Sequence, residues 1–310
     1  MIIMKKLIFL FAMMFAVGMA MAQSNDASIS TTGDDNIASI TQAGLSNLAT
    51  IEQIADNSSA IQIQNGESNV ADLDQKGGWP SDSKVDGETG YQNQQGNNNH
   101  ATLWQLADEG NGGNDGNQFQ DGSNNIAVAW QHTVNATVDQ DQVGTNNEAM
   151  AFQNGFNGYI KQEQNGIQNI ATVDEQGGGG WDNGNSAIQI QQGNWNKAQI
   201  SQYGTGGAKS AQGNSASITQ TGDDNWAGEG LYSNGLFGIY QEGNYNNATV
   251  EQNQNVNKSE VFQYGDDNIA TVVQNGGTGL FGDYGDFVNK SLINQNGNGN
   301  TANVTQTYMP

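Results

Sequence analysis

From residue 25 onward the chain alternates small or apolar residues with polar ones, and the alternation is punctuated at a fixed interval. A frame N-x-A-x-[IV]-x-Q-x-G-x-x-N recurs every eleven residues, each closing Asn opening the next unit. Asn36, Ala38, Ile40, Gln42 and Gly44 lead to Asn47 in this frame, and Asn214, Ala216, Ile218, Gln220 and Gly222 lead in the same way to Asn225. The specified residues fall at every second position, which is the period of a β-strand, and the residues between them are mostly Ser, Thr, Asp, Glu, Lys or Asn. Each unit therefore predicts a strand with one ordered face and one solvated face. The Gly and the polar residues after it supply turn chemistry, because Gly tolerates positive φ and Asp or Asn bonds its own backbone. Twenty-three such units are read between Asn25 and Tyr308.

Neighbouring units differ in a regular way. At the Ile/Val position six alternate units carry Gln62, Gln92, Gln118, Gln140, Gln162 and Gln189, and the units between them carry Leu73, Leu103, Ala129, Ala151 and Val173. A coil then takes two units, or 22 residues, so that like side chains stack on like. The fold class this predicts is all-β, a parallel two-sheet β-solenoid with amyloid-like ladders. Beyond Gln189 the alternation fades into Ile218, Ile239, Val261 and Ile293, read as continuing the same series. Insertions near 78–87, 110–113, 180–184, 207–213 and 279–288 are read as following odd-numbered units, which would place all five on one edge. The aromatic residues Trp79, Trp181, Phe281, Tyr284 and Phe287 sit in them.

Composition sharpens this picture. Of 310 residues, 43 are Asn, 34 Gln and 42 Gly, with 2 Pro and no Cys. Such low complexity leaves a choice between disorder and a repeat architecture, and the frame selects the repeat. Acidic residues outnumber basic ones 32 to 9, all the basic ones are Lys, and the formal charge is −23. A chain of that charge without Arg repels phosphate backbones, so no nucleic-acid partner is expected. Disulfides and thiolate metal sites are excluded with Cys. Lys5 and Lys6, the apolar run from Leu7 to Met19, and Ala20-Met21-Ala22 form a signal peptide over 1–22 with cleavage after Ala22. The run is shorter than the roughly 20 residues that span a bilayer.

Ser58, Gln64, Gly66, Asn69, Ala71 and Gln75 reproduce the motif S-x-x-x-x-x-Q-x-G-x-x-N-x-A-x-x-x-Q in register. That motif resembles the curlin repeat, carried by the subunits of curli, the extracellular amyloid fibres of biofilm-forming bacteria. The resemblance extends over 23–310, with more coils than is usual and with Asn, Gly, Ala or Glu for Ser in most even units. It implies a secreted structural subunit, self-association into fibres for adhesion and biofilm matrix, other curlin-like subunits as partners and a dedicated outer-membrane export system.

Candidate site residues are the ladder positions. They comprise the unit-opening Asn36, Asn47, Asn69, Asn125, Asn147, Asn169, Asn196, Asn225, Asn246, Asn257, Asn268 and Asn300. The Gln set is Gln42, Gln53, Gln64, Gln75, Gln105, Gln131, Gln142, Gln153, Gln164, Gln191, Gln202, Gln220, Gln241, Gln252, Gln263, Gln274, Gln295 and Gln306. The turn positions are Gly44, Gly66, Gly144, Gly166, Gly193, Gly222, Gly243 and Gly265. A stacked amide can donate and accept along its column, so it stays satisfied only while the register holds. No catalytic motif and no cofactor site is found, and an enzyme is not expected. His100 and His132 are lone imidazoles at outward positions. The paired acids Asp34-Asp35, Asp223-Asp224 and Asp266-Asp267 are candidates for weak Ca²⁺ binding, against a role in solubility. A monomeric solenoid adhesin or ice-binding surface is the alternative to a fibre subunit.

Overall fold

In a computed structural model of the chain, the residues described are 24–77, 87–106, 113–132, 135–176, 184–203, 213–228, 238–276 and 289–308. The signal-peptide reading, and nearly all of the inserted residues, fall outside them. The strands begin with β1 (Asp26–Thr32), β2 (Ile37–Leu45), β3 (Leu48–Ile54), β4 (Ser59–Glu67), β5 (Val70–Lys76), β6 (Thr89–Asn97), β7 (His100–Leu106) and β8 (Asp115–Ser123). There follow β9 (Ile126–His132), β10 (Thr137–Thr145), β11 (Glu148–Asn154), β12 (Tyr159–Ile167), β13 (Ile170–Gln176), β14 (Ser186–Gln192), β15 (Lys197–Tyr203) and β16 (Ser215–Thr221). The last are β17 (Trp226–Ala227), β18 (Ile239–Glu242), β19 (Asn247–Asn253), β20 (Asn257–Tyr264), β21 (Ile269–Asn275), β22 (Asn289–Asn296) and β23 (Thr301–Thr307).

The fold is a two-sheet parallel β-solenoid. One sheet holds the odd strands β1 to β17 together with β18, β20 and β22; the other holds the even strands β2 to β16 together with β19, β21 and β23. All the pairings are parallel, and Ile29 opposes Ile51 as Gln42 opposes Gln64, one 22-residue coil on. Burial follows the two-residue period: in β3 Ala49, Ile51 and Gln53 are fully buried, while Thr50 and Glu52 between them are partly open. The core between the sheets is thin, and half of it is amide.

Core volume is conserved by compensation between the sheets. Gly90 and Gly116 stand where other rungs have Ala, and a Cβ built on either would meet the methyl groups of Leu73 or Leu103 at 2.7 and 2.6 Å. Over the next two rungs Gly116 is followed in its column by Val138 and Ile160, while the other sheet's column drops from Leu103 to Ala129 and Ala151. Large therefore faces small, as close packing requires.

Pairing changes the count and the phase of the units beyond Gly228. Ala198 opposes Ala227 and Ile200 opposes Ile239, so β17 and β18 are two pieces of one rung, and Asn225 to Gly243 is one unit instead of two. Gly238 closes the rung: its position lies so near Ala227 O that a Cβ would come within 2.2 Å, and its carbonyl accepts from Val261 N at 2.8 Å. The described residues form 22 units, and Ile239, Val261 and Ile293 belong to the sheet opposite to Ile218. The expectation of one insertion edge is corrected with it. Insertions at 78–87, 110–113, 180–184 and 207–213 lie between an odd-sheet strand and an even-sheet strand, but 279–288 lies between β21 and β22 and joins the sheets in the reverse sense. Gly243 and Gly265 likewise sit at the opposite edge from Gly44 to Gly222, since they follow β18 and β20.

Candidate functional site: amide ladders and open ends

Two residues before each even-sheet Gly, the inward Gln forms a continuous column. Nε2 of Gln42 donates to Oε1 of Gln64 at 2.8 Å, and the relay continues through Gln94, Gln120, Gln142, Gln164, Gln191, Gln220, Gln252 and Gln274 to Gln306 without a break. The same amides also donate to backbone carbonyls of the facing sheet, as Gln64 does to Leu48 O at 2.9 Å. One side chain thus joins its own column and pins the two sheets together. All of these bonds point from lower to higher coil, so the column has a direction.

A second, parallel column runs from Gln62 through Gln92, Gln118, Gln140 and Gln162 to Gln189 at 2.7 to 2.9 Å. Its lower end is open, for Gln62 sits on Ile40 and its buried Oε1 has no partner. The odd-sheet column is segmented. Gln53, Gln75, Gln105 and Gln131 form one run, and Gln202, Gln241, Gln263 and Gln295 another. Between the runs stand Gln153 and Glu175, whose carboxylate oxygen accepts from Gln153 Nε2 at 3.1 Å.

The Asn residues bond in the reverse sense. Asn69 N donates to Asn47 Oδ1 at 3.0 Å, and Asn99, Asn125, Asn147, Asn169, Asn196, Asn225 and Asn257 repeat the bond up the odd sheet. Their side-chain amides close the turns, as Asn47 Nδ2 does on Gly66 O at 3.1 Å. On the even sheet Asn36, Asn114, Asn185, Asn214, Asn246 and Asn268 accept in the same way through Oδ1, but Ser58, Glu88, Ala136 and Gly158 replace Asn on four of the rungs between Asn36 and Asn214. Glycine in the turns has two separate causes. Gly44 has φ +108° and Gly66 φ +137°, and a Cβ on Gly44 would stand 1.8 Å from the carbonyl oxygen of Gly66. Left-handed backbone and van der Waals contact between stacked turns both exclude a side chain.

Several ladder members follow the frame and still lie outside the Gln and Asn sets read from sequence. Gln94, Gln120, Asn99 and Asn214 occupy the frame positions, and Gln62 to Gln189 stand at the Ile/Val position of their units. Two of the three acid pairs supply turn acceptors. Asp223 Oδ1 takes hydrogen bonds from Asn194 N and Nδ2, and Asp266 Oδ1 from Asn244 N and Nδ2. Asp34 N donates to Asp56 Oδ1 at 2.7 Å. Among the described residues no three His, Cys, Asp or Glu side chains gather as a metal site would need. His100 is exposed, and its ring Nε2 lies in hydrogen-bond contact with the Thr102 hydroxyl at 3.1 Å.

The outward face of the odd sheet carries an aromatic row. Trp104 and Trp130 have ring centroids 5.4 Å apart, Trp130 and Phe152 6.4 Å. The row ends in acids at both sides, Asp74 below and Asp174 above. Asp74 accepts from the Trp104 indole N–H and pairs with Lys76 at 2.6 Å.

The two ends of the solenoid are the remaining feature. Among the described residues, β1 and β2 each pair on one side only, and so do β22 and β23. Ala38, Ile40 and Gln42 at one end, and Ala302, Val304 and Gln306 at the other, are half-buried members of columns that elsewhere are fully buried. The lower end presents the Gln42 acceptor; the upper end presents the Gln306 amide donor. No helix among the described residues is long and apolar enough to cross a membrane.

Among known proteins, no curated protein matches the chain. The model of the curlin associated repeat matches at 33–61 and at 212–253, the second match spanning the split rung. Over those two stretches the chain is similar to the curlin associated repeat, and both lie in the column frame that runs through the described rungs of the solenoid.

Proposed function

We propose that this chain is an exported structural subunit that polymerises end to end into a curli-like extracellular amyloid fibre, serving adhesion and matrix cohesion at the cell surface. The observation that carries this reading is the unbroken Gln42 to Gln306 column, which ends in an open acceptor at one end and an open donor at the other. A second copy placed head to tail continues the Asn300, Ala302, Val304 and Gln306 columns onto Asn36, Ala38, Ile40 and Gln42. Head-to-head contact would oppose acceptor to acceptor. Unpaired strand edges template further strands, and a contact between two different ends of one subunit repeats without closing. Other curlin-repeat subunits and an outer-membrane exporter are the partners this role calls for, and the acidic turns keep subunits apart before assembly.

The purified mature protein should form thioflavin-positive fibres with a meridional reflection at about 4.7–4.8 Å. Ile40→Lys or Val304→Lys should each stop elongation while leaving the monomer folded. Persistently monomeric wild-type protein, folded and soluble, would instead support the surface-adhesin reading.

A further inference from the structure

One rung of the odd-sheet Gln column carries a carboxyl group. Glu175 occupies the position of Gln53, Gln75, Gln105 and Gln131, is 2% exposed, and stands in register between Gln153 below and Gln202 above. Its Oε2 accepts from Gln153 Nε2 at 3.1 Å. Its other oxygen has no partner, and neither has Oε1 of Gln202, one rung up. Everywhere else within a run of the column an amide N–H fills that gap. Gln202 is otherwise well placed, donating to Gln241 Oε1 at 2.8 Å and to Ser186 O at 3.2 Å. Two unsatisfied buried acceptors on residues in register on adjacent rungs are what an ionised carboxyl makes of an amide ladder.

A carboxylic acid has the shape of a carboxamide with O–H in place of N–H, and protonation turns one acceptor into a donor. We propose that Glu175 is protonated in the folded solenoid, that its O–H donates to Gln202 Oε1, and that the odd-sheet column is thereby a proton-gated ladder, closed in acid and interrupted as pH rises. This holds for the single chain, whether or not chains polymerise.

The surroundings favour the neutral form. Burial pushes the Glu175 carboxyl well above its ordinary value of 4.5; the Gln153 bond opposes this and the neighbouring Asp174 adds to it. No cation among the described residues offsets these effects. On the strands packed around it, β11 offers Glu148, β12 offers Tyr159, Lys161 and Glu163, β14 has no ionisable residue, and β15 offers Lys197 and Tyr203. Lys161 pairs with Glu163 at 3.3 Å, and the Tyr203 hydroxyl donates to Asp174 at 3.1 Å. Because the folded value is raised, the stability from this group is complete below 4.5 and is lost as pH rises towards the folded value.

The test is urea denaturation of the full chain across pH, comparing wild type with Glu175→Gln, Glu175→Leu and the exposed control Glu251→Gln. Glu175→Gln restores an all-amide column. It should match wild type in acid and exceed it at neutral and alkaline pH, with the gap in folding constant widening about tenfold per pH unit above 4.5 until the folded value is passed. Glu251→Gln, which removes the same charge, should leave the wild-type profile unchanged. Glu175→Leu should lose the pH dependence but fall below Glu175→Gln at every pH, because it cannot donate to Gln202. In infrared difference spectra, wild type at neutral pH should show a protonated-carboxyl band that Glu175→Gln lacks. Identical pH profiles for wild type and Glu175→Gln, or absence of that band, would overturn the proposal; equal stability of the Gln and Leu variants would overturn the hydrogen bond to Gln202.

Discussion

Two stretches of the even sheet solve the same packing problem with different chemistry. From β4 to β14 the middle inward position is Gln62, Gln92, Gln118, Gln140, Gln162 and Gln189; from β16 to β23 it is Ile218, Val250, Val272 and Val304. In the first stretch each amide reaches a carbonyl of the facing sheet, as Gln62 does to Thr50 O at 2.8 Å. Its facing positions vary widely in volume, through Leu73, Leu103, Ala129, Ala151 and Val173. In the second stretch the facing residues are Ile200, Ile239, Val261 and Ile293, with Ala216, Ala248, Ala270 and Ala302 beside them, and the core is uniform. An amide specifies register, because a slip leaves buried polar groups unpaired. An aliphatic column specifies only depth. The variable volumes sit where the Gln62 to Gln189 column adds to the register held by the Gln42 to Gln306 column, and the uniform ones where only the latter runs on through the even sheet.

The strongest way to break this comparison is at the compensated pairs. Leu103→Ala should cost about 2–5 kcal/mol by opening a cavity against Gly116. Adding Gly116→Val recreates the Ala-with-Val pairing of the rungs above, and denaturation midpoints should show the double variant recovering about 0.5–3 kcal/mol relative to the sum of the single ones.

Exchanging the two chemistries tests the amide column itself. Gln162→Leu strands Gln189 Oε1 and removes the acceptor of Gln140, and Val250→Gln places an amide between Ile218 and Val272; each should cost about 1–3 kcal/mol despite being favourable by hydrophobicity in the first case. Hydrogen exchange should show the loss confined to adjacent rungs. Equal or greater protection in Gln162→Leu would mean that apolar burial outweighs the ladder.

A smaller effect is expected on the outward side of the Gln region. Burial, then Glu163 and Asp139, raise Asp141 above 3.8, so its contribution is complete below that value and declines as pH rises through its folded value. Asp141→Asn should flatten that part of the wild-type profile. Smallest of all, Lys161→Ala removes a half-open ion pair with Glu163 and should change stability by about 0–1 kcal/mol, less still in high salt.

The strand period, the 22-residue coil and most of the ladder are legible in the sequence, because a repeated inward position in a solenoid has one kind of neighbour, its own copy. The Asn69 to Asn47 bond and the Gln64 to Gln94 bond need no distant partner to be foreseen. Asn225-Trp226-Ala227 has the start of a unit and Ile239-Tyr240-Gln241 has the end, and each fragment reads as a short unit because the frame carries no mark of continuity across an insertion. That error shifts the phase of every later unit, moving Ile239, Val261 and Ile293 to the wrong sheet and 279–288 to the wrong edge.

Alternation and spacing by themselves determined that this protein is a parallel β-solenoid with amide ladders and glycine turns, since both follow from contacts between a residue and its own repeat. Tertiary structure alone decided how the halves of the broken rung rejoin through Gly238, which volumes compensate across the core, and where a buried carboxyl leaves Gln202 without a donor. These depend on residues from different units meeting across a sheet or between sheets, and a repeat frame, which averages over units, carries no record of the one rung that departs from it.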